Sequence, residues 1–496
     1  MAKSVTLIDT RKRDEDGLSI NARAVNSKEA RALYKKREQI YPKLAHGLFR
    51  NIKWAALVVL LAIYYVTPWI RWDRGIGRPD QAVLIDFEAG RFYFFFIELW
   101  PQEVYYITGL LILAALGIFL SSALFGRVWC GYACPQTVWT DLYIYVERWI
   151  EGDRNARMRL DKAPMSTAKA AKKVSKHAIW LVIAAATGGA WVFYFGDAPS
   201  LFGDIFTGQA SATVYLFIGL LTFTTYTLAG TMREQVCTYM CPWPRIQAAM
   251  MDNDALSVTY RVDRGEPRGP HKKGDSWEGR GDCIDCRQCV AVCPQGIDIR
   301  DGDQLECINC ALCIDACDDI MKKVGRPTGL IAYDSYANVD RRKRGEPARL
   351  RLLRPRTMIY GGLMALVGAI MIFALATRET LDLNVIRDRN PPFVRLADGS
   401  IRNDYELKLL NMTAVERRVS IDVEGLQGAH LSAPALDEEG RLIASAQADR
   451  VTNVRVHVVA PVGIEPGSHD LSFVVRDLDS GETTRTASAF LAGGGQ

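Results

Sequence analysis

The chain has 496 residues, 49% of them hydrophobic and 24% charged, with a formal net charge of +5. That composition excludes a disordered or collagen-like chain, because there is ample apolar material to bury. Twelve cysteines in 496 residues are too sparse for a disulfide-stapled mini-protein, and all of them fall between Cys130 and Cys317.

Residues 1–53 carry 13 Lys plus Arg and form a basic arm. It has no short apolar core near its start, so it does not read as a signal peptide. Five stretches, 54–70, 104–125, 178–195, 213–230 and 358–377, lack charged side chains. Each reaches the roughly 17–25 residues that a helix needs to cross a bilayer. Several have Trp or Tyr near their ends, as membrane spans do. Residues 54–251 are therefore expected to form a four-helix membrane region, with 358–377 as a fifth transmembrane helix.

Two matched motifs follow the second and fourth stretches: Cys130-Gly-Tyr-Ala-Cys134-Pro135 and, 107 residues on, Cys237-Thr-Tyr-Met-Cys241-Pro242. A hairpin-plus-motif unit has been duplicated, in the manner of transporter repeats. Proline disfavours helix at the residue before it and suits the first turn of a helix after it. Each second thiol is thus expected at a helix N-terminus, where the dipole and a nearby arginine (Arg127 or Arg233) lower a thiol pKa. Such thiolates suit a soft metal, Cu(I) or an iron–sulfur cluster. Cys130, Cys134, Cys237 and Cys241 are the candidate copper or redox residues. Inert cysteines at interfacial turns are the bland alternative.

Within a domain expected over residues 252–357 lies Cys283-x2-Cys286-x2-Cys289-x3-Cys293-Pro294, repeated as Cys307-x2-Cys310-x2-Cys313-x3-Cys317. This is the spacing of a two-cluster bacterial ferredoxin, in which the fourth cysteine of each run ligates the other cluster. The expected sets are Cys283, Cys286, Cys289 and Cys317 for one 4Fe–4S cluster, and Cys307, Cys310, Cys313 and Cys293 for the other. Paired C-x2-C runs also make zinc sites, but two matched quartets favour the clusters. Asp318 stands where the second run would carry proline; proline is not a ligand.

Lys plus Arg counts in the segments around the stretches are 13, 4, 10, 0 and 21, alternating as the positive-inside rule requires. The arm and all cysteines are therefore expected on the cytoplasmic side and the C-terminal tail outside. The basic runs serve topology and lipid contact, not nucleic acid. Residues 381–496 hold 12 Lys plus Arg against 17 Asp plus Glu. Their alternating runs at 405–410, 419–423, 454–459 and 471–475 argue an immunoglobulin-like β-sandwich of about 110 residues.

In this order the pieces resemble the CcoG family, also called FixG or RdxA, membrane-bound polyferredoxins associated with assembly of the cbb-type cytochrome c oxidase. The resemblance rests on the paired Cys-x3-Cys-Pro motifs, the eight-cysteine cassette and the tail. It implies a multi-pass protein of the bacterial inner membrane that reduces Cu(II) to Cu(I). Two 4Fe–4S clusters would be its cofactors and copper its substrate or bound ion. Copper-delivery and oxidase-assembly proteins would be its partners. No dinucleotide fingerprint is present, so the electrons come from a separate cytoplasmic donor. The alternatives are a quinol-linked electron carrier, similar to the membrane polyferredoxin of nitrate reduction, and an oxidase assembly scaffold.

Overall fold

The structure, a computed structural model, describes residues 39–493 apart from 76–77, 273, 414 and 433–440. Most of the basic arm lies outside the described residues. The chain divides into two bodies, one ending at Met371 and one beginning at Ile372.

Eight helices matter for the site: α1 (Leu48–Val66), α2 (Val104–Phe125), α3 (Pro135–Glu151), α4 (Thr167–Val192), α5 (Ala212–Thr225), α6 (Trp243–Met250), α7 (Leu312–Lys323) and α8 (Pro355–Ala376). Four helical segments are long and apolar enough to cross a membrane: Leu48–Trp69, Pro101–Phe125, Ala212–Met232 and Pro355–Ala376. Protein covers little of them, and Leu111, Phe223 and Ile370 point outward. In water such a surface would drive association, whereas lipid solvates it. This is a membrane protein. The fifth expected stretch, 178–195, falls in α4, whose first half carries Lys169, Lys172, Lys173 and Lys176. Its uncharged part within the helix, residues 178–192, is shorter than the other four apolar segments.

Helix α1 also starts ahead of its expected stretch. Arg50 and Lys53, read in the sequence as the end of the polar arm, are buried inside it and face Asp141. After α1 the chain makes a three-stranded antiparallel sheet, β1 (Val83–Asp86), β2 (Arg91–Phe94) and β3 (Ile97–Leu99). The buried Gln81 ties this sheet to the end of α4, donating to Phe193 O at 2.7 Å.

The cysteine cassette is bracketed by β4 (Ser257–Tyr260) and β5 (Ile331–Asp334), paired antiparallel with Val258 opposite Tyr333. Between them the core is Val258, Tyr260, Ile299, Ile314, Met321 and Ile331, with cysteine sulfurs packed among them. The second body is a sandwich of two antiparallel sheets. Strands β6 (Leu381–Arg387), β7 (Val394–Arg395), β8 (Ile401–Asn411), β10 (His430–Ser432) and β12 (Arg450–Ala460) make one. Strands β9 (Arg417–Glu424), β11 (Leu442–Ala446), β13 (Gly467–Asp477) and β14 (Thr483–Ala492) make the other. The four alternating runs fall in β8, β9, β12 and β13. Their inward residues Tyr405, Leu407, Val419, Ile421, Val456, Val458, Phe473 and Val475 fill one core, because alternate side chains of a strand face opposite ways.

Helix α3 carries three buried acids. Asp141 meets Arg50 at 3.0 Å and Lys53 at 3.9 Å. Glu147 meets Arg157 at 2.8 Å, Lys176 at 3.4 Å and Arg233 at 2.7 Å. Glu151 meets Lys173 and Lys176, each at 3.0 Å. Burial pushes the Glu147 carboxyl up, but Arg233, Lys176 and Arg157 outweigh it and hold it down at about 2. A lowered carboxyl stabilises the fold above its unfolded pKa and loses that contribution as pH falls through the folded value. The Glu147 contribution is therefore expected to persist at neutral pH and to fade between about pH 4.5 and pH 2. Glu147→Gln leaves three cations around an uncharged group and should lower stability by about 3–5 kcal/mol, read as a fall in the thermal midpoint at neutral pH.

Candidate metal centre

In each half of the cassette the chain turns twice through the left-handed region. Asp285 and Arg287 have φ 53 and 53, and Asn309 and Ala311 have φ 52 and 59. These positions flank the second cysteine of each run, Cys286 and Cys310. For Arg and Ala that backbone is strained by about 1–2 kcal/mol, and it persists only where the surroundings dictate it. Successive turns of this kind fold a loop into a nest for an anionic group. A short helix, Gln288–Val292, leads away from the first loop and α7 from the second.

The fourth cysteines cross over. Cys317 lies within electrostatic reach of Cys289, Cys283 and Cys286. Cys313 lies within reach of Cys310, Cys307 and Cys293, and also of Cys289. Cys289, Cys293, Cys307, Cys310 and Cys313 line one internal cavity with Ile297 and Ile299. Burial pushes the Cys289 thiol up to about 12 and Cys293 up to about 11, and raises Cys307, Cys313 and Cys317 as well. Thiolates crowded this way need a soft polycation to be stable. Among the described residues no three Cys, His, Asp or Glu side chains converge on one point as ligands of a single ion do. A mononuclear zinc site requires that convergence. Thiols around a cavity fit a cubane, in which each sulfur takes its own iron.

The membrane-edge repeats take their expected shapes with one difference in charge. Cys134 is extended (φ −61, ψ 128) at the start of α3, with Pro135 in the first turn. Cys241 is extended in the same way (φ −82, ψ 124), and Pro242 caps α6. Cys130 sits in the short helix Val128–Tyr132, and Cys237 in a π-helical turn, Val236–Met240. The four are brought together: Cys130 lies within electrostatic reach of Cys134, Cys237 and Cys241, and Cys237 within reach of Cys134 and Cys241. Two glutamines bind the repeats to each other. Gln136 Nε2 donates to Leu228 O at 2.8 Å and Arg233 O at 3.2 Å, and Cys130 Sγ donates to Gln247 Oε1 at 3.0 Å.

The expected lowering of the thiol pKa is not seen. Burial pushes Cys130 and Cys237 up to about 12 and raises Cys134, although backbone N–H groups of Thr137 and Gln136 pull Cys134 down. Desolvation of a thiolate outweighs a helix dipole. The two arginines have other partners. Arg127 Nη1 donates to the carbonyls of Gln304, Leu305 and Cys307 at 3.0, 2.6 and 3.0 Å, and Arg233 is held by Glu147.

The repeats and the cassette form one packed assembly. Cys130 shares a buried cluster with Cys310, Ile308, Leu312 and Val292, and Tyr132 Oη donates to Cys310 O at 3.1 Å. A Cβ on Gly131 would stand 2.7 Å from Ile308 O, so only glycine lets the two backbones approach this closely. Asp315, between Cys313 and Cys317, accepts from the Phe49 and Arg50 amides at 3.2 and 2.8 Å and so caps α1. Sequence reasoning missed Gly131, Asp315 and Gln247. The glycine inside the first motif was the one visible signal.

Comparisons with known proteins agree with this architecture. A 4Fe–4S dicluster domain matches residues 232–336, a 4Fe–4S binding domain matches 107–155, and the Ig-like fold at the C-terminus of FixG matches 371–493. The "Nitrogen fixation protein FixG" of Rhizobium meliloti is 51% identical over 93% of this chain and 94% of its own length. "Protein RdxA" of Cereibacter sphaeroides is 50% identical over 90% of this chain and 94% of its own. A crystal structure of a FixG-related protein from Vibrio parahaemolyticus is 23% identical and covers 23% of this chain and 96% of its own, with a TM-score of 0.20. The chain is an iron–sulfur redox protein of the membrane and belongs to the FixG/RdxA family.

Proposed function

We propose that this protein passes electrons one at a time from its ferredoxin cassette to the cysteines at the membrane edge. There it reduces Cu(II) to Cu(I) for assembly of a cbb-type cytochrome c oxidase. The observation that carries the reading is the packing of Cys130 against Cys310, with Gly131 against Ile308. It brings the first of the membrane-edge thiols into direct contact with the cassette. Cys283, Cys286, Cys289 and Cys317 would hold one 4Fe–4S cluster, and Cys307, Cys310, Cys313 and Cys293 the other. When bound, each supplies a site that stores and releases one electron.

Each protein group has a part in this. Cys286 is the exposed member of the cassette, so an electron donor of the cytoplasm approaches there. Val258, Ile297, Ile299 and Leu312 give the cavity an apolar lining around the thiols. Cys130, Cys134, Cys237 and Cys241 present soft donors that favour Cu(I) over Cu(II), which adds driving force to the transfer. Copper needs one electron and no proton, and no acid–base residue is required.

The same reading places the protein in the inner membrane with five spans, α4 supplying the one at 178–195. The N-terminus and cassette are cytoplasmic, and the sandwich is periplasmic. Supporting it, Arg354 Nη2 donates to Ala123 O at 2.6 Å and Arg356 Nη1 to Met251 O at 2.9 Å. These bonds join the basic start of α8 to the end of α2 and to the residue that follows α6, as a common cytoplasmic side would require. The sandwich then serves copper-delivery and oxidase-assembly partners as a docking module.

Replacing Cys130, Cys134, Cys237 and Cys241 by Ala should abolish Cu(II) reduction, followed with a Cu(I)-specific chelator, while the ferredoxin signals persist. Unchanged copper reduction would sink the proposal. Removing residues 381–496 should stop oxidase maturation in cells and leave copper reduction by the purified membrane protein near its original rate.

A further inference from the structure

The eight cassette cysteines suffice for two clusters, which is what the dicluster match over 232–336 describes. The separate 4Fe–4S match over 107–155 contains two cysteines, Cys130 and Cys134. That is half the ligand set of a cubane. The fold brings the other half: Cys237 and Cys241 arrive from the second repeat, as the mutual reach of the four thiols shows.

Three structural features make this a built site. The first is an orphaned donor. Gln247 is fully buried, its Oε1 takes the Cys130 thiol, and its Nε2 has no partner in the protein. A buried donor left unpaired costs about 1–3 kcal/mol. Hydrogen bonds to cluster sulfurs are a normal feature of such sites and tune their potential. The second is a matched hinge. Gly126 (φ 64) and Arg233 (φ 45) stand 107 residues apart, at equivalent places in the two repeats, and both turn the chain left-handed just ahead of the first cysteine. Arginine holds this strained backbone because Glu147 grips its guanidinium at 2.7 and 3.1 Å while its Nε donates to Gly230 O at 2.8 Å. The third is the spacing of the thiols. They share one neighbourhood without three of them converging on a single point among the described residues, as the cassette thiols do.

Both repeats also meet the same part of the cassette. Cys130 packs on Cys310, and Gln295, two residues after Cys293, lines one cavity with Cys237.

We propose that Cys130, Cys134, Cys237 and Cys241 together hold a third 4Fe–4S cluster, adjacent to the one assigned to Cys293, Cys307, Cys310 and Cys313. The proposal deepens the reading above and rests on it for the role of these thiols as the exit of the electron chain. Copper would then meet an iron–sulfur cluster instead of bare cysteines.

The test is iron and acid-labile sulfide counted on the anaerobically purified and reconstituted full chain, with Mössbauer spectra to identify the iron. About twelve irons per chain, all in cubanes, are expected, against about eight for the cassette alone. The four-cysteine variant should fall to about eight and keep the two cassette signals. Gln247→Leu should keep all twelve and shift the EPR signal and potential of one cluster only, a readout that does not depend on the severe variant folding. A count of eight that the four-cysteine variant leaves unchanged overturns the proposal. If that variant also stops copper reduction, the bare thiols act on copper and the functional reading stands without the third cluster. If four irons are lost and copper reduction continues, the cluster stands and its role as the exit falls.

Discussion

The arrangement of this molecule at the membrane edge hangs on the three acids buried along α3. Taking a carboxylate out of water costs several kcal/mol, and it is tolerated only with close counter-charges. Asp141, Glu147 and Glu151 each meet two or more cations, and those cations come from elsewhere in the chain: α1, α4, the segment after α3, and the hinge before Cys237. One helix thereby fixes the start of the first apolar helix, the polar half of α4 and the second cysteine repeat. Because Cys134 caps α3, the same bracing holds that thiol within reach of Cys237.

A second constraint is solvent. The apolar helices face outward, and their polar ends must be satisfied where the lipid stops. The cassette does part of this. Asp315 caps α1, and Arg127 reaches from the first repeat to three carbonyls of the second cassette loop. The ferredoxin half is thus wedged into the membrane region by hydrogen bonds and by the close approach at Gly131. The sandwich, by contrast, has a core of its own, with Tyr405, Phe473 and Phe490 fully buried.

Much of this was legible in the sequence where a local pattern carries the information. Apolar runs free of charge mark lipid-facing helices because a membrane leaves no other way to solvate them. Period-two alternation marks the sandwich strands because pleating alternates the side chains. Where a charge was neutralised by a distant partner the local pattern misled. Arg50 and Lys53 read as the end of the arm, yet they lie inside α1 because Asp141 is opposite. In α4 four lysines extend a helix whose apolar half alone was read as a span.

Taken alone, the order of residues determined the cysteine spacing, the duplication at an offset of 107 and the fold class of each part. These follow from covalent spacing and from periodicity, which a linear chain displays directly. Tertiary structure decided which thiols share a neighbourhood, that burial raises the Cys130, Cys134 and Cys237 thiols, and that Gln247 is left with an unpaired donor beside them. Desolvation and close contact depend on what the rest of the chain packs around a residue, and that information is spread across positions far apart in sequence.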